Sequence, residues 1–372
     1  MAPAEAFDRI AARLSRWPDI ETHDLVAADQ SDRLILAEAG EIPPEIVIVG
    51  DRFGALVLSI LTAAPRTRIR VHQDAITGER ALAANAERLG IDLGGVSWHD
   101  LDASLTQKAT LVAGQLPRGL DALDELAGAI ADHADPSVRV VLGGRVKHMT
   151  TAMNEVLGVH FREVSASRGV GKSRALHSGA PIPGAGAPWP RRAAHEGLTI
   201  VAHGAAFAGT GLDIGTRSML EHLGDMPYAE CVIDLGCGTG ALAASYALAR
   251  PEARVIATDR SAAAVASASA TCRANGVSDR VRVVRDDGLS SQPDGSADLV
   301  LLNPPFHSGA AVTSLIAPRL FADAARVLRA GGELWTVWNS HLRYRPQLDR
   351  IVGPTRQVAR DRRFTVTASA RR

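Results

Sequence analysis

At 372 residues the chain is long enough for two domains rather than one hydrophobic core. With 46% hydrophobic and 22% charged residues it reads as an ordinary globular protein, and no apolar run reaches the ~20 residues that a membrane span needs. The net charge of zero argues against a general nucleic-acid binder. Nine arginines after residue 339 nevertheless face only two aspartates, a local charge of +7 that can attract phosphate.

Residues 1–8 lack a basic region followed by an apolar core, so no secretory signal is expected. Cys231, Cys237 and Cys272 are odd in number and lack metal-ligand spacing, which suits a reducing cytoplasm and no structural metal. Residues 1–40 read as amphipathic helices broken at Trp17-Pro18. Residues 46–50 are a buried strand entering a turn at Gly50 and Gly54, and residues 69–72 are a second strand. A helix is expected from Ala75 to Leu89, stopped by Gly90. A strand over 110–117, a helix over 120–133 and a strand over 138–142 before Gly143-Gly144 complete an alternation that means a doubly wound, mainly parallel sheet.

Residues 178–197 are dense in Gly and Pro and predict an irregular connector. The expected domains are 1–185 and 186–372. Arg162, Arg168, Lys172, Arg174, Arg191 and Arg192 flank the connector and are either a phosphate-holding group or a solvated surface.

The second half repeats the plan. Strands are expected over 231–235, 254–259, 281–287, 297–302, 333–338 and 364–368. Helices are expected over 261–274 and from about Ser314 to Arg329, and residues 330–332 form a turn. The halves overlay around their key turns: Gly50 and Gly54 on Gly236 and Gly240, Asp74 within one residue of Asp259, and Gln115-Leu116-Pro117 on Asn303-Pro304-Pro305. Repetition on this scale indicates a duplicated domain. The differences point the other way: Ile48 stands where the second half has Asp234, Arg52 where it has Gly238, and Arg118 where it has Phe306. The first copy keeps the fold and has lost the binding residues.

In the second copy an acid, Asp234, precedes the turn glycines Gly236, Gly238 and Gly240. A carboxylate there repels pyrophosphate but can receive an ammonium group, directly or through water. Glycine lets the backbone approach a ligand where any Cβ would clash. Asp259 ends the next strand, placed for ribose hydroxyls; Asp287, or else Asp286, ends the third and can accept from an adenine amine. Ammonium, ribose and adenine without phosphate describe S-adenosylmethionine, although the glycine turn alone also fits other nucleotide folds.

Asn303-Pro304-Pro305-Phe306 ends a buried strand in a turn that prolines force. The Asn303 side chain and the Pro304 carbonyl are two acceptors beside an aromatic plate, an arrangement that suits a planar group carrying an amine. The plain alternative is a Pro-rich turn with a buried Phe.

The carboxy-terminal half resembles the class I S-adenosylmethionine-dependent methyltransferases. Its Asn-Pro-Pro-Phe stretch resembles their signature for methylating planar exocyclic nitrogens. With His307, the stretch 211–216 (Gly-Leu-Asp-Ile-Gly-Thr) and the degenerate first copy, the chain resembles the ribosomal RNA guanine-N(2) methyltransferases, and residues 339–344 look nearer the large-subunit kind. The resemblance implies two tandem Rossmann-like domains and a monomeric cytoplasmic enzyme with ribosomal RNA as partner, needing neither membrane nor metal. It further implies that Asn303 and the Pro304 carbonyl accept the two hydrogens of the guanine amine, and that Phe306 stacks on the base. His307 is placed to take the released proton, or is structural. The first copy is expected to hold RNA or to support folding. Other readings are methylation of adenine in nucleic acid or of glutamine in protein, and a non-catalytic RNA-binding scaffold.

Overall fold

The run Ile46-Val47-Ile48-Val49 is apolar on both faces, as a strand covered on both sides must be, and all four side chains are buried. In the computed structural model this run forms β1 (Glu45–Val49). The structure describes residues 1–21, 25–195, 197–304 and 310–372, the side chains of 310–315 excepted. The chain divides into two compact units, Met1–Trp189 and Pro190–Arg372.

In the first unit β2 (Arg68–His72), β3 (Val96–Trp98), β4 (Leu111–Gln115), β5 (Arg139–Arg145), β6 (Phe161–Ala166) and β7 (Ser173–Pro181) join β1. Their order is β3-β2-β1-β4-β5-β7-β6, parallel through β5, with β7 and β6 antiparallel. Alternation along β1 sends Ile46 and Ile48 into one apolar cluster and Val47 and Val49 into another, one core on each face.

The second unit opens with a hairpin of β8 (Arg191–His195) and β9 (Leu198–Ala202). Its main sheet contains β10 (Cys231–Leu235), β11 (Arg254–Asp259), β12 (Val281–Arg285), β13 (Ala297–Leu302), β14 (Leu328–Asn339), β15 (Thr355–Arg360) and β16 (Phe364–Ala370). The order β12-β11-β10-β13-β14-β16-β15 repeats that of the first unit. The expectation of two doubly wound, mainly parallel Rossmann-like sheets is therefore met.

Helices run over Pro3–Ile10 and Gln30–Ala39, on either side of the break at Trp17-Pro18. Ile76–Leu89 ends, as expected, on a left-handed Gly90, and Leu120–His133 matches its expected span. Four local expectations are corrected. β5 continues through Gly143-Gly144, because the helix Gln30–Ala39 lies so close that a Cβ on Gly143 would meet Ile35 at 2.5 Å. The expected turn at 330–332 is a bulge inside β14: Ala297 pairs with Leu328, but Leu299 pairs with Glu333. The expected connector is ordered at both ends, with β7 reaching Pro181 and β8 starting at Arg191. The expected helix from Ser314 begins earlier and spans Ala310–Val327. Among the described residues no helix is long and apolar enough to cross a membrane.

Candidate active site

β10 pairs with β11 on one side and β13 on the other, so the strand order reverses there and a crevice opens at the carboxyl ends. Leu235 is paired with Leu302, which brings Gly236 and Asn303 to adjacent positions on that edge. The residues expected to bind cofactor and substrate thus converge from stretches far apart in sequence.

The turn after β10 holds Gly236, Gly238 and Gly240 at φ of +74°, +53° and +77°, which other residues rarely adopt. A Cβ on Gly236 or Gly238 would meet nothing within 4 Å, so these two leave a cradle open above the turn. Gly240 does different work: its Cβ would lie 2.9 Å from Ala268, so it permits close helix packing.

Asp234 is 1% exposed, and its Oδ2 accepts the Ala243 amide at 2.9 Å. Its buried Oδ1 has no hydrogen-bond partner among the described residues. Burial first, and then Asp259, push the carboxyl up to about 7. Asp259 Oδ2 accepts the Gly238 amide at 3.0 Å and Oδ1 the Ser261 amide at 2.9 Å. The acid meant for a ribose therefore also fixes the glycine turn. A half-satisfied buried carboxyl, an open glycine cradle and a strand-end acid fit the cofactor that the sequence implies.

The third-strand acids divide their work. Asp286 accepts the Ser291 amide and hydroxyl, both at 2.8 Å, and the Asp287 amide at 2.8 Å, so it organises its own loop. Asp287, the preferred candidate, is buried and paired with Arg319 at 2.6 Å. That partner lies 32 residues away on the helix Ala310–Val327, and no sequence motif announced it.

Asn303 carries the most informative geometry. Its Nδ2 donates to Asp213 Oδ2 at 2.9 Å and to Thr216 Oγ1 at 3.1 Å. A carboxylate can only accept, so the amide is fixed with Nδ2 toward Asp213. Asn303 Oδ1 is left buried without a partner among the described residues. Gly215 makes this approach possible, since a Cβ there would come within 3.1 Å of Asn303 Oδ1. Asp213 also caps the helix Ile214–Leu220 by accepting the Gly215 and Thr216 amides at 3.0 and 3.3 Å. The stretch 211–216 thus orients Asn303 through a contact 90 residues away, which no local motif announces. Pro304 is buried; Pro305, Phe306 and His307 lie outside the described residues.

Two mainly parallel seven-stranded sheets, one carrying this edge, define a tandem Rossmann-like methyltransferase architecture. Residues 197–368 match the family model of the methyltransferase small domain, and residues 5–181 that of the RLMG N-terminal domain. The chain is 36% identical over 367 residues to ribosomal RNA large subunit methyltransferase G of Streptomyces coelicolor, covering 95% of this chain and 96% of that protein. Its counterpart in Pseudomonas aeruginosa PAO1 is also 36% identical, over 361 residues, with 95% and 96% covered. The chain belongs to the ribosomal RNA large subunit methyltransferase G family. A solved structure of the T. thermophilus 16S rRNA N2 G1207 methyltransferase, RsmC, with AdoMet and guanosine shares the fold at TM-score 0.70, 20% identity and 92% coverage of both chains.

Proposed function

We propose that this protein transfers the methyl group of S-adenosylmethionine to the 2-amino nitrogen of a guanine in ribosomal RNA, of the large subunit. The observation that carries the reading is Asn303 Oδ1, without a partner among the described residues, on an amide fixed by Asp213 and Thr216 beside the glycine cradle.

The cofactor, when bound, supplies an activated methyl on a cationic leaving group, so the chain mainly has to position the nucleophile. Asn303 Oδ1 accepts one hydrogen of the guanine amine and the Pro304 carbonyl the other. The amine lone pair, otherwise delocalised into the ring, is thereby turned toward the methyl. Positive charge growing on nitrogen meets two acceptors that need not reorganise. Asp259 accepts from the ribose hydroxyls, Asp287 from the adenine amine, and Asp234 receives the ammonium, directly or through water. Gly236 and Gly238 give the backbone access. The target base must leave its stack to enter, which favours naked or partly assembled RNA.

The enzyme is read as a monomer needing no metal, because displacement at a sulfonium requires no Lewis acid. The amino-terminal unit is read as an RNA holder through Arg162, Arg168, Lys172 and Arg174, all exposed on or beside the β6–β7 edge. The decisive experiment incubates labelled cofactor with each deproteinised ribosomal RNA from a strain lacking the protein, followed by nucleoside analysis. Label in N2-methylguanosine of large-subunit RNA is expected; label in adenosine, or in neither RNA, would refute the reading.

A further inference from the structure

The amino-terminal unit has a cavity of its own, of about 140 Å³, at the edge that in the other unit bears the candidate site. The correspondence is set by strand register. Gln115 follows Gly114, which pairs with Val49, as Asn303 follows Leu302, which pairs with Leu235. Even the clasp on the amide is kept: Gln115 Nε2 donates to Asp32 Oδ1 at 2.5 Å and to Ser31 Oγ at 3.2 Å. The space is smaller than the roughly 300–1,000 Å³ of pockets for drug-sized ligands, so it suits one small group rather than a nucleoside cofactor.

The chemistry of the lining has been inverted. Arg16, Arg52, Arg118, Arg145 and His148 all border the cavity. Arg52 stands at the position of Gly238 and Arg118 at that of Phe306, the places of the cofactor cradle and the aromatic plate. Each acid present has contacts of its own, Asp51 through one oxygen only. Asp29 is paired with Arg145 at 3.1 Å. Asp32 holds Gln115 and accepts the Asp29 amide at 2.8 Å. Asp51 Oδ2 caps the following helix through the Leu56 and Val57 amides at 3.0 and 2.8 Å.

Arg16 is likewise engaged, donating to the carbonyls of Ile20 and Val26 and lying 4.6 Å over the Phe53 ring. Arg52 and Arg118 differ: both border the cavity with exposed side chains. Crowding around its guanidinium, and next the charge of Arg118, hold Arg52 below its usual range although the residue is exposed at the rim. Both arginines are exposed at the rim of the recess, so their charges stand open to an anion arriving from solvent. A guanidinium offers the fork of donors that matches phosphate oxygens.

We propose that this cavity binds a phosphate group, gripped by Arg52 and Arg118 within the field of Arg16, Arg145 and His148. The group is either a phosphodiester of the RNA or a free phosphate. In this unit a site for a cationic cofactor has become a site for an anion. The claim is independent of which base the other unit methylates.

The test titrates the full-length protein with inorganic phosphate by calorimetry, beside Arg52→Gln and Arg118→Gln. Wild type should bind saturably, and each variant at least about tenfold more weakly, with unfolding midpoint and S-adenosylmethionine affinity unchanged. No saturable binding by wild type, or undiminished binding by a variant that keeps its midpoint, overturns the proposal. Should one variant fold poorly, the other decides. Filter binding of a ribosomal RNA fragment then separates the sources. Weaker RNA binding in both variants, with a flatter salt dependence, assigns the site to the RNA backbone. Unchanged RNA affinity with phosphate binding lost assigns it to a free phosphate.

Discussion

Asp213 Oδ2 stands 2.9 Å from Asn303 Nδ2 across 90 residues of chain, and this bond decides which end of the Asn303 amide faces the crevice. The same oxygen caps a helix, so the start of that helix and the end of β13 are set by one carboxylate. Asp213→Asn should keep the cap, since Asn serves as an N-cap as well as Asp does. It should remove the carboxylate that forces the Asn303 orientation. Turnover is expected to fall about 10–100-fold with cofactor affinity unchanged, the mark of lost positioning. A rate within twofold of wild type would show that Thr216 and packing suffice.

Asn303→Ala removes the acceptor itself. It should retain cofactor affinity and lose at least about 100-fold in turnover, as for an interaction made mainly in the transition state. Single-turnover assays on ribosomal RNA check this. Near-normal rates would reduce the stretch to a structural turn.

Asp259→Asn tests the ribose. It keeps an acceptor for the Gly238 amide but loses the charge, so S-adenosylmethionine binding should weaken by about 1–3 kcal/mol. Calorimetry giving wild-type affinity would remove Asp259 from the cofactor site.

Asp234 predicts a pH effect. Its carboxyl sits at about 7 in the fold, against 3.8 ordinarily, chiefly through burial. Between those values the folded chain holds a proton that the unfolded chain has released. The associated stability is complete below the lower value and is lost as pH climbs through the higher one. Asp234→Asn removes this dependence, so its unfolding midpoint relative to wild type should rise between about pH 5 and about pH 8. A difference that stays constant with pH would contradict the buried, protonated carboxyl.

The amino-terminal unit should bind no second cofactor, because Ile48 and Arg52 stand for the acid and a cradle glycine. Calorimetry should give one S-adenosylmethionine per chain; two would refute the degeneracy. Reversing charge at Arg162, Arg168, Lys172 and Arg174 should weaken ribosomal RNA binding and flatten its salt dependence, since fewer counterions are released. Unaltered binding would leave folding support as that unit's role.

Sequence by itself determined the two sheets, the glycine turn and the edge at Asn303. These are local: apolar runs specify buried strands, glycine at positive φ specifies the turn, and proline ends the ladder at Asn303. Comparing the halves also exposed the exchange of Ile48, Arg52 and Arg118 for site residues. Tertiary structure alone decided the partners. That Asp213 orients Asn303, that Arg319 pairs with Asp287, and that Asp51 does for its helix what Asp234 does for the other are contacts between or beyond motifs. Asp51 aligns with Cys237, three residues past the position of Asp234, yet its Oδ2 takes the Val57 amide, the equivalent of Ala243. A carboxylate is read by where its oxygens arrive, and a side chain long enough to span a turn reaches one amide from either position. The strands β6 and β15 are not legible for a related reason: they lie at sheet edges, where half-exposed, arginine-bearing segments lack the apolar run that marks a buried strand.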